Sequence, residues 1–394
     1  MRIGIVTETW LPSTDGVVTR LVATIRELRA GGHEVLVVVP GAGSGDVAET
    51  FLGARVRTVP TMGMRWLYGG KRWGLPMPRI VRWLRDFGPD VVHVVNPVLM
   101  GAAGVVAARR QDCPLVASYH TNVVRYASYY RLGWLAPVIW AVLRALHGRA
   151  EVNLATSAAT CAELRAQRID RVSLWRRGVD LELFQPNPPA ADQPPHRPIA
   201  LYVGRIAAEK GLDRLSALAQ PGSPARLMLV GDGPQRAELA DRFGPAATFT
   251  GLLHGPELAA AYRMADVFVF PSTTDTLGLV LLEALASGLP VVAADSPASR
   301  ELLAECPVAS LFPADDPSRL ADLVRAALRP RSGPSAAVLA RREAEQWSWA
   351  AATAQLVEYY RAAIATHTLR TGGATQSSDT NRSASGQVTD TSDD

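Results

Sequence analysis

The chain has 394 residues but only three cysteines, Cys113, Cys161 and Cys306, none at a zinc or redox spacing from another. This excludes a local metal knuckle and predicts reduced, mostly packed thiols in a reducing compartment. Lysine is scarcer still: of 41 basic residues only Lys71 and Lys210 are lysines. No run of ~18 or more apolar residues is free of a charge or a breaker, so no helix is offered to span a bilayer. The start, Met1-Arg2-Ile3-Gly4-Ile5-Val6, reads as a strand of the mature fold with no cleavage site behind it, which predicts a cytoplasmic protein. No Gly-x-Gly-x-x-Gly follows that strand and no Walker A sequence occurs, which argues against NAD and ATP binding. No Asp-x-Asp pair follows a strand to hold a divalent ion, so no metal and no other cofactor is expected.

The length exceeds one ordinary core and fits two domains of roughly 150–200 residues each. β-like apolar runs alternate with helical stretches in both halves, predicting α/β domains with parallel sheets. Strands are expected at 2–6, 34–39, 90–95, 115–119 and 152–155, and again at 199–203, 226–230, 247–250, 267–270 and 290–294. Residues 185–198 hold six prolines, which break any element and mark a linker between a first domain (1–184) and a second (199–346). An amphipathic helix is expected from 347 to about 366. The Ser, Thr, Gly and Asp residues of 371–394 have almost nothing to bury and are expected to be disordered. Net charge is +4, but residues 1–185 carry 23 basic against 14 acidic residues. Scattered among apolar strands and without a nucleic-acid motif, that excess points to a membrane surface or a phosphorylated acceptor rather than to nucleic acid.

The most informative stretch runs from Pro271 to Ala294. A buried strand (267–270) leads through Ser272-Thr273-Thr274-Asp275-Thr276-Leu277-Gly278 into a helix carrying Glu283, eight residues after Asp275. Gly278 leaves backbone amides open near the helix start, where an anion is favoured. Read alone, this also suits a capped helix with a solvated glutamate. Earlier, Gly204-Arg205 ends a strand and Glu209-Lys210-Gly211 follows, placing one of the two lysines beside an arginine. An ordinary surface ion pair is the alternative.

Together these segments resemble the acidic motif and the diphosphate clamp of retaining glycosyltransferases of the family-four type. The resemblance implies a GT-B fold: two facing Rossmann-like domains with parallel sheets and a C-terminal helix that crosses back onto the first. In that family the first carboxylate and the loop amides hold the donor hexose and diphosphate, and the second carboxylate holds the ribose. Carried over, Arg205 and Lys210 stabilise the leaving phosphate, and Asp275, where Glu is usual, positions the hexose. Glu283 takes the ribose, while Gly204, Leu277, Gly278 and Leu279 line the donor and Gly251 lies near the nucleobase. Gly16, in Asp15-Gly16-Val17, admits the donor phosphate or is a simple turn glycine. His120 matches an active-site histidine of several members or is a hydrogen-bonded rim residue; His93, inside an apolar strand, reads as structural.

Trp175-Arg176-Arg177-Gly178-Val179-Asp180 resembles the junction segment of the bacterial branch containing GDP-mannose-dependent mannosyltransferases and sulfoquinovosyl diacylglycerol synthases. The implied activity is retaining transfer of a hexosyl group, mannosyl favoured, from a nucleotide sugar to a lipid or lipid-linked acceptor. Transfer to a soluble natural product and nucleotide-sugar epimerisation are the rivals. The cationic and aromatic residues at 65–75, with Arg79, Arg82, Trp83 and Arg85, and those at 125–134 suggest docking on the anionic inner face of the cell membrane.

Overall fold

The structure is a computed structural model that describes residues 1–13, 16–41, 49–63, 72–120, 133–187, 197–275, 278–330 and 332–384. In the first half, β1 (Arg2–Thr7), β2 (Glu34–Pro40), β3 (Thr50–Phe51) and β4 (Ala54–Val59) precede a small hairpin of β5 (Thr61–Gly63) and β6 (Arg72–Gly74). Then come β7 (Val91–Val95), β8 (Leu115–Tyr119), β9 (Val152–Ala155) and β10 (Val172–Leu174). The main sheet has the order β10-β9-β8-β7-β1-β2-β4-β3, parallel except for β3. Its helices are α1 (Gly16–Ala30), α2 (Pro78–Phe87), α3 (Met100–Arg110), α4 (Ala136–His147) and α5 (Ala158–Ala166).

The second sheet is parallel: β11 (Ile199–Val203), β12 (Arg226–Val230), β13 (Ala247–Gly251), β14 (Val267–Phe270), β15 (Val291–Ala294) and β16 (Ala309–Phe312), ordered β13-β12-β11-β14-β15-β16. Around it lie α6 (Arg236–Phe243), α7 (Gly255–Met264), α8 (Leu279–Ala286), α9 (Pro297–Leu303), α10 (Leu320–Ala327) and α11 (Ala336–Ala344). Helices cover both faces of each sheet, so the central strands are buried along their whole length and read as unbroken apolar runs. The ten strands expected from such runs are present to within a residue at either end. The four strands at 50–51, 54–59, 172–174 and 309–312 lie toward the sheet edges, where burial is partial and the apolar run is broken.

The last helix, α12 (Trp349–Ala384), returns to the first sheet as the resemblance implied. Leu356, Tyr360 and Ala363 are fully buried in the same core as Ile3, Ile25, Val91 and Trp175. Farther along, His367 meets buried Glu151 at 3.1 Å and Arg370 meets it at 2.9 Å. The helix overruns its expected end near 366, so the segment expected to be disordered from 371 is helical to Ala384. Helix hydrogen bonds are local, and a polar sequence can continue a helix without a core to join.

Between the sheets the chain crosses twice, side by side. The Val179 amide donates to the Trp347 carbonyl (3.0 Å), and Val179 pairs with Ser348. Two arginines grip carbonyls of the first crossing: Arg20 of α1 takes those of Trp175 (3.0 Å) and Arg176, and Arg341 of α11 takes those of Leu181 (3.0 Å) and Phe184 (2.7 Å).

Candidate functional site

In each sheet the strand order reverses at one place: between β1 and β7 in the first, between β11 and β14 in the second. The loops leaving the carboxyl ends of such neighbours diverge and open a crevice, the usual ligand position in an open α/β sheet. The two crevices face each other. Glu301 of α9 reaches across to accept from the Ala158 amide at the start of α5 (2.9 Å) and pairs with Arg177 (3.6 Å). Ala23 of α1 packs with Leu279 of α8 and with Trp349 and Ala352 of α12.

The second crevice holds the sequence-predicted clamp. Gly204 and Arg205 leave β11, and Pro271 to Asp275 leave β14. Lys210 bridges the two loops, its Nζ 2.5 Å from Asp275 Oδ1. The loops are tied again by Thr274, whose hydroxyl donates to the Glu209 carbonyl (2.9 Å), while Arg205 lies 3.9 Å from Glu209. Among the described residues Asp275 Oδ2 is buried without a hydrogen-bond partner, beside the Lys210 cation. Arg205 is held through its backbone: its carbonyl accepts from Tyr202 (2.9 Å), leaving the guanidinium 38 % exposed. A Cβ on Gly231, at the end of β12, would sit 2.0 Å from the Gly204 carbonyl oxygen, so only glycine lets these loops close up.

Gly278 caps α8 in the left-handed region (φ 56°), a turn glycine makes without strain, and no side chain of the cap residue takes up the first amides of the helix. The Leu279 side chain is buried in the contact between α1 and α12, so only its amide is available to a ligand. Glu283, one turn inside α8, accepts from Tyr262 (2.8 Å), and burial pushes its carboxyl up to about 7. Gly251 accepts from the Gly231 amide (2.8 Å) at the end of β13. Gly16 opens α1; Leu277, Asp15 and the stretches 65–71 and 125–132 lie outside the described residues.

In the first crevice His120 follows β8, 3 % exposed. Its amide donates to Asn96 (2.7 Å), its Nε2 meets the Ser118 hydroxyl (2.8 Å), and its ring stands edge-on to Trp175. Burial, with Arg20 nearby, holds its pKa well below the ordinary histidine value, so the ring is neutral. His93 is a core residue, between the hydroxyls of Tyr360 (2.8 Å) and Ser118 (2.9 Å). Glu8 is a residue that motif reading missed. It follows β1 and accepts the amides of Val98 (3.1 Å) and Gly101 (2.9 Å) through Oε1, with burial raising its pKa. A carboxylate just past the first strand of a parallel sheet was the available signal.

Two facing α/β crevices, one lined with cations and a helix start, define the GT-B class of glycosyltransferase. The sequence matches the models of Glycosyltransferase Family 4 over residues 14–183 and of Glycosyl transferases group 1 over 197–329. It is 41% identical to a GDP-mannose-dependent alpha-mannosyltransferase of Mycobacterium tuberculosis, over 92% of this chain and 97% of that one. A protein of the same description from Mycolicibacterium smegmatis is 38% identical over 94% and 100% of the two chains. The Sulfoquinovosyl transferase of Arabidopsis thaliana is 36% identical over 86% of this chain and 69% of its own. In three dimensions the chain resembles a sucrose-phosphate synthase from Thermosynechococcus elongatus (TM-score 0.73, 23% identity, 93% and 99% coverage). The chain belongs to glycosyltransferase family 4.

Proposed function

We propose that this glycosyltransferase moves a mannosyl group from GDP-mannose to a glycolipid or lipid-linked acceptor with retention of configuration. The observation that carries the donor half is the Lys210–Asp275 bridge across the mouth of the second crevice, with Arg205 beside it and the start of α8 a few residues on. A departing nucleoside diphosphate gains negative charge as the glycosidic bond lengthens, and preformed cations and amides stabilise that charge without reorganising. Lys210 and Arg205 take the phosphates, Asp275 the hexose hydroxyls, and Glu283 the ribose. With charge supplied by side chains, the step is metal-independent, as assays after exhaustive chelation test. Among the described residues no carboxylate pair is assigned as nucleophile and acid. We therefore place the acceptor proton on the leaving phosphate, and His120, neutral, orients the sugar from the first crevice.

The description of the relatives as GDP-mannose-dependent supports the donor. Relatives described as Phosphatidyl-myo-inositol mannosyltransferase and Alpha-monoglucosyldiacylglycerol synthase support a lipid acceptor. No helix among the described residues is long and apolar enough to cross a membrane. One face is nonetheless suited to lie on one: Trp134 is 74% exposed, and Val138 and Val142 continue its stripe along α4. That helix has no acidic residue and ends with Arg144 and His147 in its last turn. On α2, the exposed Arg79, Arg82 and Arg85 add charge for an anionic inner leaflet. Incubation with GDP-mannose and a diacylglycerol glycoside, followed by anomeric analysis of the product, tests the proposal. Transfer from another donor with none from GDP-mannose, or a β-linked product, overturns it.

A further inference from the structure

Tyr262 is wholly buried on α7, its ring edge-on to Phe184 of the crossing chain (centroids 5.4 Å apart) and tilted against Phe268 of β14 (5.7 Å). All three belong to one apolar core with Leu281, Leu282 and Leu285 of α8. A phenylalanine would fill the same space, and a hydroxyl brought into such a core is costly unless it is bonded. This one donates to Glu283 Oε2 at 2.8 Å, with the Val280 carbonyl farther off at 3.4 Å. Burial, and after it the Glu283 charge, hold the phenol's pKa well above its ordinary value, so the group stays a donor.

Glu283 is only half-buried. Among the described residues its Oε1 has no hydrogen-bond partner and, unlike Asp275 Oδ2, is not enclosed, so it stays open to a ligand. The bond from Tyr262 therefore fixes the plane of the carboxylate while leaving Oε1 and one lone pair of Oε2 for a vicinal diol. Charged groups on the elements around α8 are engaged elsewhere. Arg341 of α11 serves the carbonyls of Ala286 (3.1 Å), Phe184 and Leu181, Arg26 of α1 pairs with Asp180, and Lys210 pairs with Asp275. Burial and the Tyr262 hydroxyl are left to set the charge on Glu283. We propose that Tyr262 is a positioning residue for the donor, holding the Glu283 carboxylate ready for the ribose hydroxyls while touching no ligand itself. This rests on the reading above that Glu283 takes the ribose.

The test measures, on the full chain, calorimetric affinities for GDP and for dideoxy-GDP, which lacks the ribose hydroxyls. Wild type, Tyr262→Phe, Glu283→Gln and the double variant are compared. Wild type favours GDP. Tyr262→Phe keeps the ring in its core, weakens GDP and spares dideoxy-GDP. Loss of the hydroxyl pushes the Glu283 carboxyl further above about 7, so the GDP deficit is roughly tenfold at pH 6 and narrows to about twofold at pH 8, where the carboxyl ionises without help. The double variant binds GDP little worse than Glu283→Gln alone, because Tyr262 acts through that carboxylate. Equal weakening of both nucleotides, a deficit that does not change with pH, or losses that add in the double variant make Tyr262 a packing residue and overturn the proposal. A loss confined to GDP in Glu283→Gln, with Tyr262→Phe like wild type, leaves the ribose assignment standing and overturns the positioning role alone. If Glu283→Gln weakens neither nucleotide, the ribose assignment fails and the proposal with it. Should wild type bind no GDP, the guanine donor is wrong, and UDP with dideoxy-UDP carries the same comparison, since both nucleotides share the ribose. Binding of neither overturns both readings.

Discussion

Donor binding should expel a proton from Glu283. Burial lifts this carboxyl from 4.5 to about 7, so near pH 7 the empty protein holds it about half protonated. That shift corresponds to roughly 3 kcal/mol against the ionised form. Tyr262 offsets part of the cost by donating to Oε2, but burial dominates. Ribose hydroxyls donating to the carboxylate would favour its charged form and return the pKa toward the ordinary range. Binding at pH 6 should then release close to ~0.9 proton, at pH 7 about half, and at pH 8 about a tenth, with affinity rising about tenfold from pH 6 to 8. Calorimetric titration of GDP in buffers of differing ionisation enthalpy measures this directly, and Glu283→Gln should abolish the release while weakening binding. Affinity flat across pH 6 to 8, with no buffer dependence, would refute the assignment of Glu283 to the ribose. The sign for stability is opposite. A carboxyl whose pKa is raised on folding binds more protons in the native state between about 4.5 and 7, so its contribution falls as pH rises through that window. Unliganded Glu283→Gln should therefore melt above wild type at pH 8 and lose that advantage below pH 4.5.

Four further outcomes are expected. Lys210→Ala should lower kcat by about 10²–10³ through lost stabilisation of the leaving phosphate, read in steady-state kinetics. Asp275→Asn should spare folding and reduce transfer, because it removes the acceptor pair beside Lys210 while keeping its shape; an unchanged kcat/KM for GDP-mannose would remove Asp275 from the site. Gly231→Ala should lower the melting temperature sharply and abolish GDP binding, since its Cβ would meet the Gly204 carbonyl oxygen. Replacing Trp134, Val138 and Val142 by serine should cut co-sedimentation with anionic vesicles and leave GDP affinity untouched; unchanged co-sedimentation would exclude α4 as the docking face.

The sheets were legible because a parallel strand covered on both faces must be apolar throughout, as Val91 to Val95 and Val267 to Phe270 are. The two loops of the second crevice were legible for a related reason: each carries its glycines and charges within a few positions. Arg20 was not, because one arginine in an amphipathic helix reads as a solvated charge. Only the return of Trp175, 155 positions later, buries it. Glu301 likewise looks like surface charge until α9 meets α5 across the crevice. Contacts set by the crossings have no local signature.

The burial of Leu356, Tyr360 and Ala363 in the first core bears on the order in which the protein is made. A nascent chain ordinarily completes its leading domain first, as the ribosome releases it. Here the leading sheet lacks a layer of its own core until the final helix has been translated, whereas the trailing sheet has all its strands and α11 before α12 begins. The trailing half should thus become protease-resistant earlier on the ribosome, with the leading half closing last. A chain ending at residue 346 would leave a groove beside Ile3, Ile25 and Trp175 open to chaperones and to neighbouring chains.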